Sequence, residues 1–188
     1  MRAVEKTPFG VWAAALPAEI CDAIVEEGQK LAKQKGTINE SGGVDKKIRD
    51  GKVAWFSKDN WIDSLFINYI FQTNFLNDWN FNINTSEALQ FTQYDVGDFY
   101  TWHRDTSIKS EVQRKISITV QLSDYSDYEG GELEVKNCWG DAVANIPVEA
   151  KQKGSIIVFP SFLLHQVTPV VSGTRYSLVQ WYSGPAFT

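Results

Sequence analysis

A succession of short β-like runs fills the chain from residue 81 onward, and it constrains the fold more than any other feature. The runs cover 81–94, 97–103, 115–122, 131–135, 143–148, 155–159, 163–168 and 174–182. Glycine, proline, aspartate and asparagine separate them, as at Gly97, Pro160 and Gly173. About eight short strands at this close spacing predict an antiparallel sandwich or jelly roll.

Two helices are predicted before the β-rich region. Over residues 18–33 and again over 60–79, apolar side chains recur every three or four positions. We therefore expect a mainly β chain of the α+β class. It would be a single domain over 1–188, in which residues 1–80 form a helical buttress and residues 81–188 form the β core.

Composition narrows the class of protein. The 188 residues are 43% hydrophobic and 22% charged, as in soluble folded proteins. A net charge of -5 gives no basic field for a phosphate backbone, which disfavours nucleic acid as a partner. No apolar run approaches the ~20 residues of a membrane span, so no membrane partner is expected. The two cysteines, Cys21 and Cys138, lack metal or disulfide spacing, which favours a reducing, cytoplasmic location.

Imidazole chemistry in this chain must use His103 or His165, because no other histidine is present. In the run F-Y-T-W-H-R-D, residues two apart on a strand point the same way, so His103 and Asp105 share a face. His165 lies in the apolar run V-F-P-S-F-L-L-H-Q-V, which predicts a place inside the β core. Two histidines and one carboxylate suit a non-haem Fe(II) site. H-x-D alone is a weak pattern, and core histidines satisfied by hydrogen bonds are the alternative.

Arg175 lies on a strand predicted to be buried, where Arg175, Ser177, Val179 and Trp181 alternate onto one face. A guanidinium inside a β core needs an anion. Residues 159–188 contain no acid, so a bound carboxylate ligand could satisfy the charge with two parallel hydrogen bonds. An acid from another strand, or an exposed arginine, is the alternative.

Longer blocks of the sequence resemble a known family. They are Q-Y-D-V-G-D-F-Y-T-W-H-R-D, R-K-I-S-I-T-V-Q-L-S-D-Y, E-G-G-E-L and K-G-S-I-I-V-F-P-S-F-L-L-H-Q-V-T-P-V-V-S-G-T-R-Y-S, which together cover roughly residues 91–182. In order and spacing they resemble the Fe(II)- and 2-oxoglutarate-dependent dioxygenases, specifically the prolyl 4-hydroxylase-like branch that includes the PKHD-type hydroxylases. The resemblance implies a double-stranded β-helix, or cupin-like jelly roll, for the core.

The resemblance also implies roles for seven residues. Three would hold iron at the catalytic centre, namely His103, Asp105 and His165. Four would bind the oxoacid or lie close to it, namely Arg175 and Tyr94 at its distal carboxylate, then Ser177 and Trp181. The implied cofactors are Fe(II) and 2-oxoglutarate, and the resemblance leaves ascorbate open as a further one.

The activity implied by the resemblance is hydroxylation of a C–H bond with dioxygen, releasing succinate and CO2. Asp105 favours hydroxylation, because related halogenases have a small residue there. The implied partner is a peptide or protein, with a prolyl residue as the expected target. Residues 36–52 and 106–113 are candidate lids over its groove, and 36–52 could equally be a solvated loop.

Two other functions stay open from the sequence. One is an oxygenase acting on nucleic acid. Relatives of that kind resemble the pattern R-x-x-x-x-x-R, with a second arginine six residues after the first, whereas this chain has Trp181 six residues after Arg175. The other is a non-catalytic β-sandwich module whose histidines hold a structural metal. Arg114, at a strand entrance, is a substrate contact or a surface charge, and the sequence does not choose between them.

Overall fold

A computed structural model describes residues 8–36, 47–106, 112–137 and 142–187. Within them lie two α-helices and two 3-10 turns, namely α1 (Ala18–Lys30), α2 (Ile67–Leu76), Asp63–Leu65 and Val148–Lys151. Fourteen strands complete the described secondary structure: β1 (Gly10–Trp12), β2 (Gln34–Lys35), β3 (Arg49–Asp50), β4 (Lys52–Trp55), β5 (Thr85–Ser86), β6 (Gln90–Tyr94), β7 (Phe99–His103), β8 (Val112–Gln121), β9 (Tyr128–Gly130), β10 (Leu133–Val135), β11 (Ile156–Pro160), β12 (His165–Val167), β13 (Val170–Gly173) and β14 (Arg175–Pro185).

The strands form two main antiparallel sheets. The larger sheet has the order β1-β11-β8-β14-β6-β4-β2, with β5 paired to β14, and the smaller one has the order β10-β12-β7-β3. A further pair joins β13 to β9. Buried side chains of the two main sheets pack against each other, for example Phe159 and Ile157 with Val135, and Tyr94 with Val167. The sheets therefore enclose a common interior.

Strand β8 shows why the larger sheet has two different faces. Its residues Ile116, Ile118, Val120 and the following Leu122 belong to the main apolar cluster, together with side chains of both helices. The alternating residues point the other way. They are buried but polar, namely Lys115, Ser117, Thr119 and Gln121. The helices thus cover an apolar outer face, and β8 presents polar groups to the space between the sheets.

Helix α1 lies very close to the larger sheet at one point. A Cβ atom on Gly28 would come within 2.5 Å of the Phe91 ring. That ring is fully buried and stacks on Tyr176, with centroids 5.6 Å apart. The absence of a side chain at Gly28 is what allows the helix to approach the sheet.

The second helix is shorter than its predicted span of 60–79. Asn60 Oδ1 accepts hydrogen bonds from the backbone N–H groups of Ile62 and Asp63, at 2.8 and 3.1 Å, and this local turn competes with helix. The helix ends at Leu76, and Asp78 then has a left-handed φ of 54°. The apolar periodicity correctly predicted a helix, but the Asn60 turn at one end and the left-handed backbone at Asp78 at the other make it shorter.

Two strand and loop predictions were also wrong in part. Residues 143–148 form no strand, because Val143 makes a single bridge to Lys136 and Pro147 begins a 3-10 turn. The candidate lid at 36–52 contains β3 and the first residue of β4. Its residues 37–46 lie outside the described part of the chain, as do residues 107–111 of the candidate lid at 106–113.

Four strands come from the region where the sequence predicted helices, and three of them pair within the larger sheet. These three are β1, β2 and β4, while β3 is an edge strand of the smaller sheet. They are two to four residues long, too short for a clear alternation of apolar and polar residues. Among the described residues, no helix has the length and apolar character needed to cross a bilayer.

Candidate active site

The two histidines are brought together by strand pairing in the smaller sheet. His103 is the last residue of β7 and His165 is the first residue of β12, and the two are direct partners in the antiparallel register. Their ring centroids lie 4.1 Å apart. Both side chains are largely buried, since 13% of His103 and 7% of His165 is exposed.

Backbone carbonyl groups fix the orientation of both imidazoles. Nδ1 of His103 lies 2.8 Å from the carbonyl oxygen of Thr101, and Nδ1 of His165 lies 2.9 Å from that of Leu163. A carbonyl only accepts, so each Nδ1 carries the hydrogen. Each Nε2 therefore presents a free lone pair in the neutral ring, which is the form that binds metals.

Asp105 completes the group. Its Oδ1 lies 3.5 Å from Nε2 of His103, and its Oδ2 lies 3.4 Å from Nε2 of His165. The backbone N–H of Asp105 donates to the carbonyl oxygen of Ser161 at 2.9 Å, which anchors the residue just beyond β7. One ligand atom from each of the three side chains lies within 4.8 Å of the others. We call His103, Asp105 and His165 the triad.

The electrostatics of the triad keep its carboxylate ionised. Burial alone would raise the pKa of Asp105, but the adjacent His165 and His103, when protonated, hold it well below its usual range. Burial lowers the pKa of His103. Burial also opposes protonation of His165, yet the Asp105 carboxylate raises its pKa. The triad thus offers a buried negative charge and imidazole nitrogens, a donor set that fits a divalent metal of the Fe(II) type.

Arg175 begins β14 and is buried, with 4% of the residue exposed. Its Nη1 donates to Ser177 Oγ at 3.4 Å, and its Cζ lies 5.9 Å from the ring centroid of Tyr94, its register partner on β6. Within the described residues, no carboxylate lies close enough to form an ion pair with it. The structure thus brings Arg175, Ser177 and Tyr94 together, and the guanidinium keeps hydrogen-bonding capacity for an anion.

The sequence matches a family model, described as the 2OG-Fe(II) oxygenase superfamily, over residues 89–183. That is half of the chain, and it includes the triad and Arg175. This chain belongs to the 2OG-Fe(II) oxygenase superfamily. Membership confirms the resemblance found in the sequence, and the family implies Fe(II) and 2-oxoglutarate as cofactors.

A curated relative supports the same branch of this superfamily. A PKHD-type hydroxylase of Synechococcus sp. (strain CC9902) is 38% identical over 99 residues, which are 53% of this chain and 42% of that relative. The oxygenase chain therefore matches less than half the length of this relative.

Solved structures share the fold. A prolyl-4-hydroxylase of Pseudomonas putida has a TM-score of 0.71 at 20% identity, covering 94% of this chain and 93% of that one. A prolyl hydroxylase of Trichoplax adhaerens, in complex with a peptide fragment of the hypoxia inducible factor oxygen degradation domain, has a TM-score of 0.72 at 19% identity. It covers 93% of this chain and 83% of that one. The shared fold confirms the predicted mainly β, jelly-roll class.

In this oxygenase, two serines that the sequence analysis did not single out support Asp105. Ser117 Oγ donates to Asp105 Oδ2 at 2.6 Å, and the same hydroxyl lies 2.9 Å from Ser161 Oγ. Both serines are completely buried. The sequence could have indicated Ser117, because the run K-I-S-I-T-V-Q-L alternates polar and apolar residues and so places Ser117 on the polar face of a strand.

Trp181 lies beside the triad on the larger sheet, as the register partner of Ser117. It is buried, yet its Nε1 has no hydrogen-bond partner among the described residues. The Arg114 guanidinium covers the ring, with Cζ 3.9 Å from the centroid. Glu87 accepts two hydrogen bonds from Arg114, both at 2.6 Å, and fixes that guanidinium. Arg114, which the sequence left undecided, therefore belongs to the surroundings of the site.

A second unsatisfied donor lies next to the triad. Thr106 follows Asp105, and its Oγ1 is buried without a partner in the described part of the chain. Nη1 of Arg114 lies 3.4 Å from the backbone carbonyl oxygen of Asp105. Two buried donors without partners therefore flank one side of the triad, close to Arg114.

A cavity of about 370 Å³ reaches Arg175 between the two sheets. Its wall includes Gln121, Tyr128 and Leu133, and Gln121 Nε2 donates to the Tyr128 hydroxyl at 2.8 Å. None of the triad residues lines this cavity.

Proposed function

We propose that this oxygenase is an Fe(II)- and 2-oxoglutarate-dependent dioxygenase that hydroxylates a prolyl residue of a peptide or protein, releasing succinate and CO2. The observation that carries the proposal is the triad, whose ligand atoms all lie within 4.8 Å of one another. Two imidazoles and one carboxylate leave half of an octahedral shell for other ligands. When bound, Fe(II) and 2-oxoglutarate supply the oxidising chemistry of C–H hydroxylation.

The protein holds the metal through His103, Asp105 and His165. The carbonyl groups of Thr101 and Leu163 fix both rings with Nε2 towards the carboxylate, so little reorganisation accompanies metal binding. The ionised state of Asp105 supplies the negative charge that a divalent cation requires.

The oxoacid is held by its distal carboxylate. Arg175 binds that group with two parallel hydrogen bonds, which its planar guanidinium allows and its burial strengthens. Ser177 positions the guanidinium from 3.4 Å. The Tyr94 hydroxyl donates to the same carboxylate.

The substrate lies on the side of Trp181. Its Nε1 and the Thr106 hydroxyl are buried donors without partners, and a peptide backbone carbonyl would satisfy either. Arg114 is held over the Trp181 ring by Glu87, so this wall is rigid before substrate arrives. Unpaired hydrogen-bond donors beside the triad suit a peptide, whose backbone carbonyl groups accept hydrogen bonds.

Similarity to other proteins supports the choice of substrate. The relative from Synechococcus is named a PKHD-type hydroxylase, and both solved structures are prolyl hydroxylases, one of them with a bound peptide fragment. The proposal also includes ascorbate as a further cofactor, dioxygen and a peptide as partners, and a cytoplasmic location. It further includes the single domain over 1–188.

The proposal is tested by turnover with Fe(II), 2-oxoglutarate and ascorbate. We expect 2-oxoglutarate to be converted to succinate, and a panel of proline-containing peptides to include one that gains a single oxygen by mass spectrometry. The same panel with alanine in place of the target proline is the control, since it lacks the pyrrolidine ring. Tight zinc binding without turnover would instead indicate a non-catalytic module. Turnover that depends on an oligonucleotide would indicate the nucleic-acid alternative.

A further inference from the structure

Tyr100 lies flat against His103, a member of the triad. The two ring centroids are 3.5 Å apart, and the ring planes differ by 13°. This is closer than the 4.1 Å between the rings of His103 and His165. Nearly parallel rings at this distance are in van der Waals contact across their faces. We call this contact the Tyr100–His103 stack.

An irregularity in strand β7 makes the stack possible. On β12, His165 and Val167 are two residues apart, but their partners on β7, His103 and Tyr100, are three apart. In a regular strand, residues three apart point to opposite faces, so Tyr100 would point away from His103. The extra residue in β7 is a β-bulge, which turns the Tyr100 side chain to the face that carries His103. Bulges are frequent beside active sites, where they redirect a side chain in this way.

Arg49 holds Tyr100 from the neighbouring strand β3. The two residues are direct partners in the antiparallel register, and Cζ of Arg49 lies 4.6 Å from the centroid of the Tyr100 ring. Arg49 is buried, and burial strengthens the attraction between a cation and a ring face. A Cβ atom on Gly36 would lie 2.3 Å from Nε of Arg49, so this glycine leaves the space that the Arg49 side chain fills.

The His103 ring needs a support of this kind more than the His165 ring does. His103 is the last residue of its strand, and its side chain is more exposed than that of His165. The hydrogen bond between Nδ1 and the Thr101 carbonyl oxygen holds one edge of the His103 ring, about which the ring could still tilt. A parallel ring at 3.5 Å opposes that tilt, because one side of the imidazole would then overlap with Tyr100.

We propose that Tyr100 is a positioning residue for His103. Held by Arg49, its ring keeps the imidazole in the plane in which Nε2 faces Asp105, 3.5 Å from Oδ1. The inference rests on the proposed function, since it assigns Tyr100 to the support of the metal centre. Groups that orient a metal ligand contribute about 10–100-fold to metal affinity, and the same magnitude is expected for Tyr100.

Nuclear magnetic resonance of the metal-free protein tests the stack itself. The chain has only two histidines, so the ring signals of His103 and His165 can be followed separately. We expect the Tyr100 ring to shift the His103 ring protons upfield, and His103 to carry its hydrogen on Nδ1. Tyr100→Leu should remove the upfield shift and give a mixture of the two tautomers at His103, while the His165 signals change much less. Tyr100→Phe keeps the ring and should behave as the unmodified protein.

Anaerobic titration with Co(II) tests the consequence for the metal centre. Tyr100→Leu should bind Co(II) about 10–100-fold more weakly and with an altered d–d absorption spectrum, and Tyr100→Phe should restore both. Arg49→Gln should cause a smaller change in the same direction, and Gly36→Ala, which displaces Arg49, should match it. Tyr69→Leu is the matched control, because Tyr69 is another half-buried ring, packed edge-on against Trp12 at 5.3 Å. It should leave Co(II) binding unchanged, and circular dichroism checks that each variant folds.

Three results would overturn the proposal. They are unchanged His103 signals in Tyr100→Leu, equal Co(II) affinity in that variant and the unmodified protein, or a loss in Tyr100→Phe as large as in Tyr100→Leu. Neither measurement requires 2-oxoglutarate or a peptide, so both remain decisive if the turnover assay finds no hydroxylation. Conversely, full turnover together with a silent Tyr100→Leu substitution would reject the role of Tyr100 and leave the proposed function intact.

Discussion

Ser117 donates its hydroxyl hydrogen to Oδ2 of Asp105 across 2.6 Å, from the larger sheet to the loop that follows the smaller one. The contact joins the two sheets at the triad. It also satisfies one lone pair of Oδ2 and so fixes the orientation of the carboxylate, whose Oδ1 lies 3.5 Å from Nε2 of His103. The position of this carboxylate is thus set by a buried hydroxyl as well as by the chain around it.

Substitution of Ser117 should therefore weaken metal binding. A side chain that orients a metal ligand by hydrogen bonding contributes about 10–100-fold to metal affinity. We therefore expect Ser117→Ala to bind Co(II) or Fe(II) about 10–100-fold more weakly in anaerobic titrations. Thr119→Ala removes another buried hydroxyl from the same face of β8 and is the control. Equal metal affinity in both variants would show that Ser117 only fills space.

Removal of Asp105 should abolish turnover while leaving the fold intact. Asp105→Ala leaves two imidazoles and no negative charge for a divalent cation, so succinate formation should fall to background in the standard assay. The thermal midpoint without metal checks the fold. Asp127→Ala, at an exposed aspartate, should behave as the unmodified protein. Residual turnover of Asp105→Ala well above background would contradict the assignment of the triad.

Arg175→Lys should separate oxoacid binding from metal binding. Lysine keeps the positive charge but loses the planar pair of donors, so the KM for 2-oxoglutarate should rise about ten- to a hundredfold. Iron affinity, measured without the oxoacid, should change little. Equal losses in both measurements would indicate that Arg175 supports the structure rather than the oxoacid.

Gly28→Ala should destabilise the protein although alanine favours helix. The helix propensity gain is about 1 kcal/mol at most. The added Cβ would lie 2.5 Å from the Phe91 ring, and overpacking a buried ring costs about 1–3 kcal/mol. The net loss in the free energy of unfolding, from urea titration, should be as much as about 2 kcal/mol. Lys30→Ala, on the exposed side of α1, should change it by less than about 0.5 kcal/mol. A more stable Gly28→Ala variant would mean that the ring moves aside easily.

Much of the fold was predictable because long strands leave a regular pattern. The alternation in β8 and the turn residues around the strands fixed the β-rich class and the place of His165. Short strands such as Gln34–Lys35 carry no such pattern, and they form because an existing sheet edge offers hydrogen-bond partners. The bounds of α2 depended on the side-chain turn at Asn60 and the left-handed backbone at Asp78, which apolar periodicity does not report.

The candidate site, like the fold, was predictable only in part. Scarcity of histidine and the H-x-D spacing predicted a group of His103, Asp105 and His165, which the fold brings together. The supporting contacts depend on register between distant strands. Ser117 reaches Asp105, and Glu87 reaches Arg114, only because particular residues of separate strands stand side by side. A single sequence does not specify those pairings.

Strand β14 sets the distance between two parts of the candidate site. It runs unbroken from Arg175 to Pro185 and carries Arg175, Ser177 and Trp181 on one face. At about 3.3 Å per residue, the anion-binding end and the substrate-facing end are held roughly 20 Å apart along one rigid backbone. Insertion or loss of one residue between them would turn one end away from the interior. The length of this segment should therefore tolerate no change, even where its side chains do.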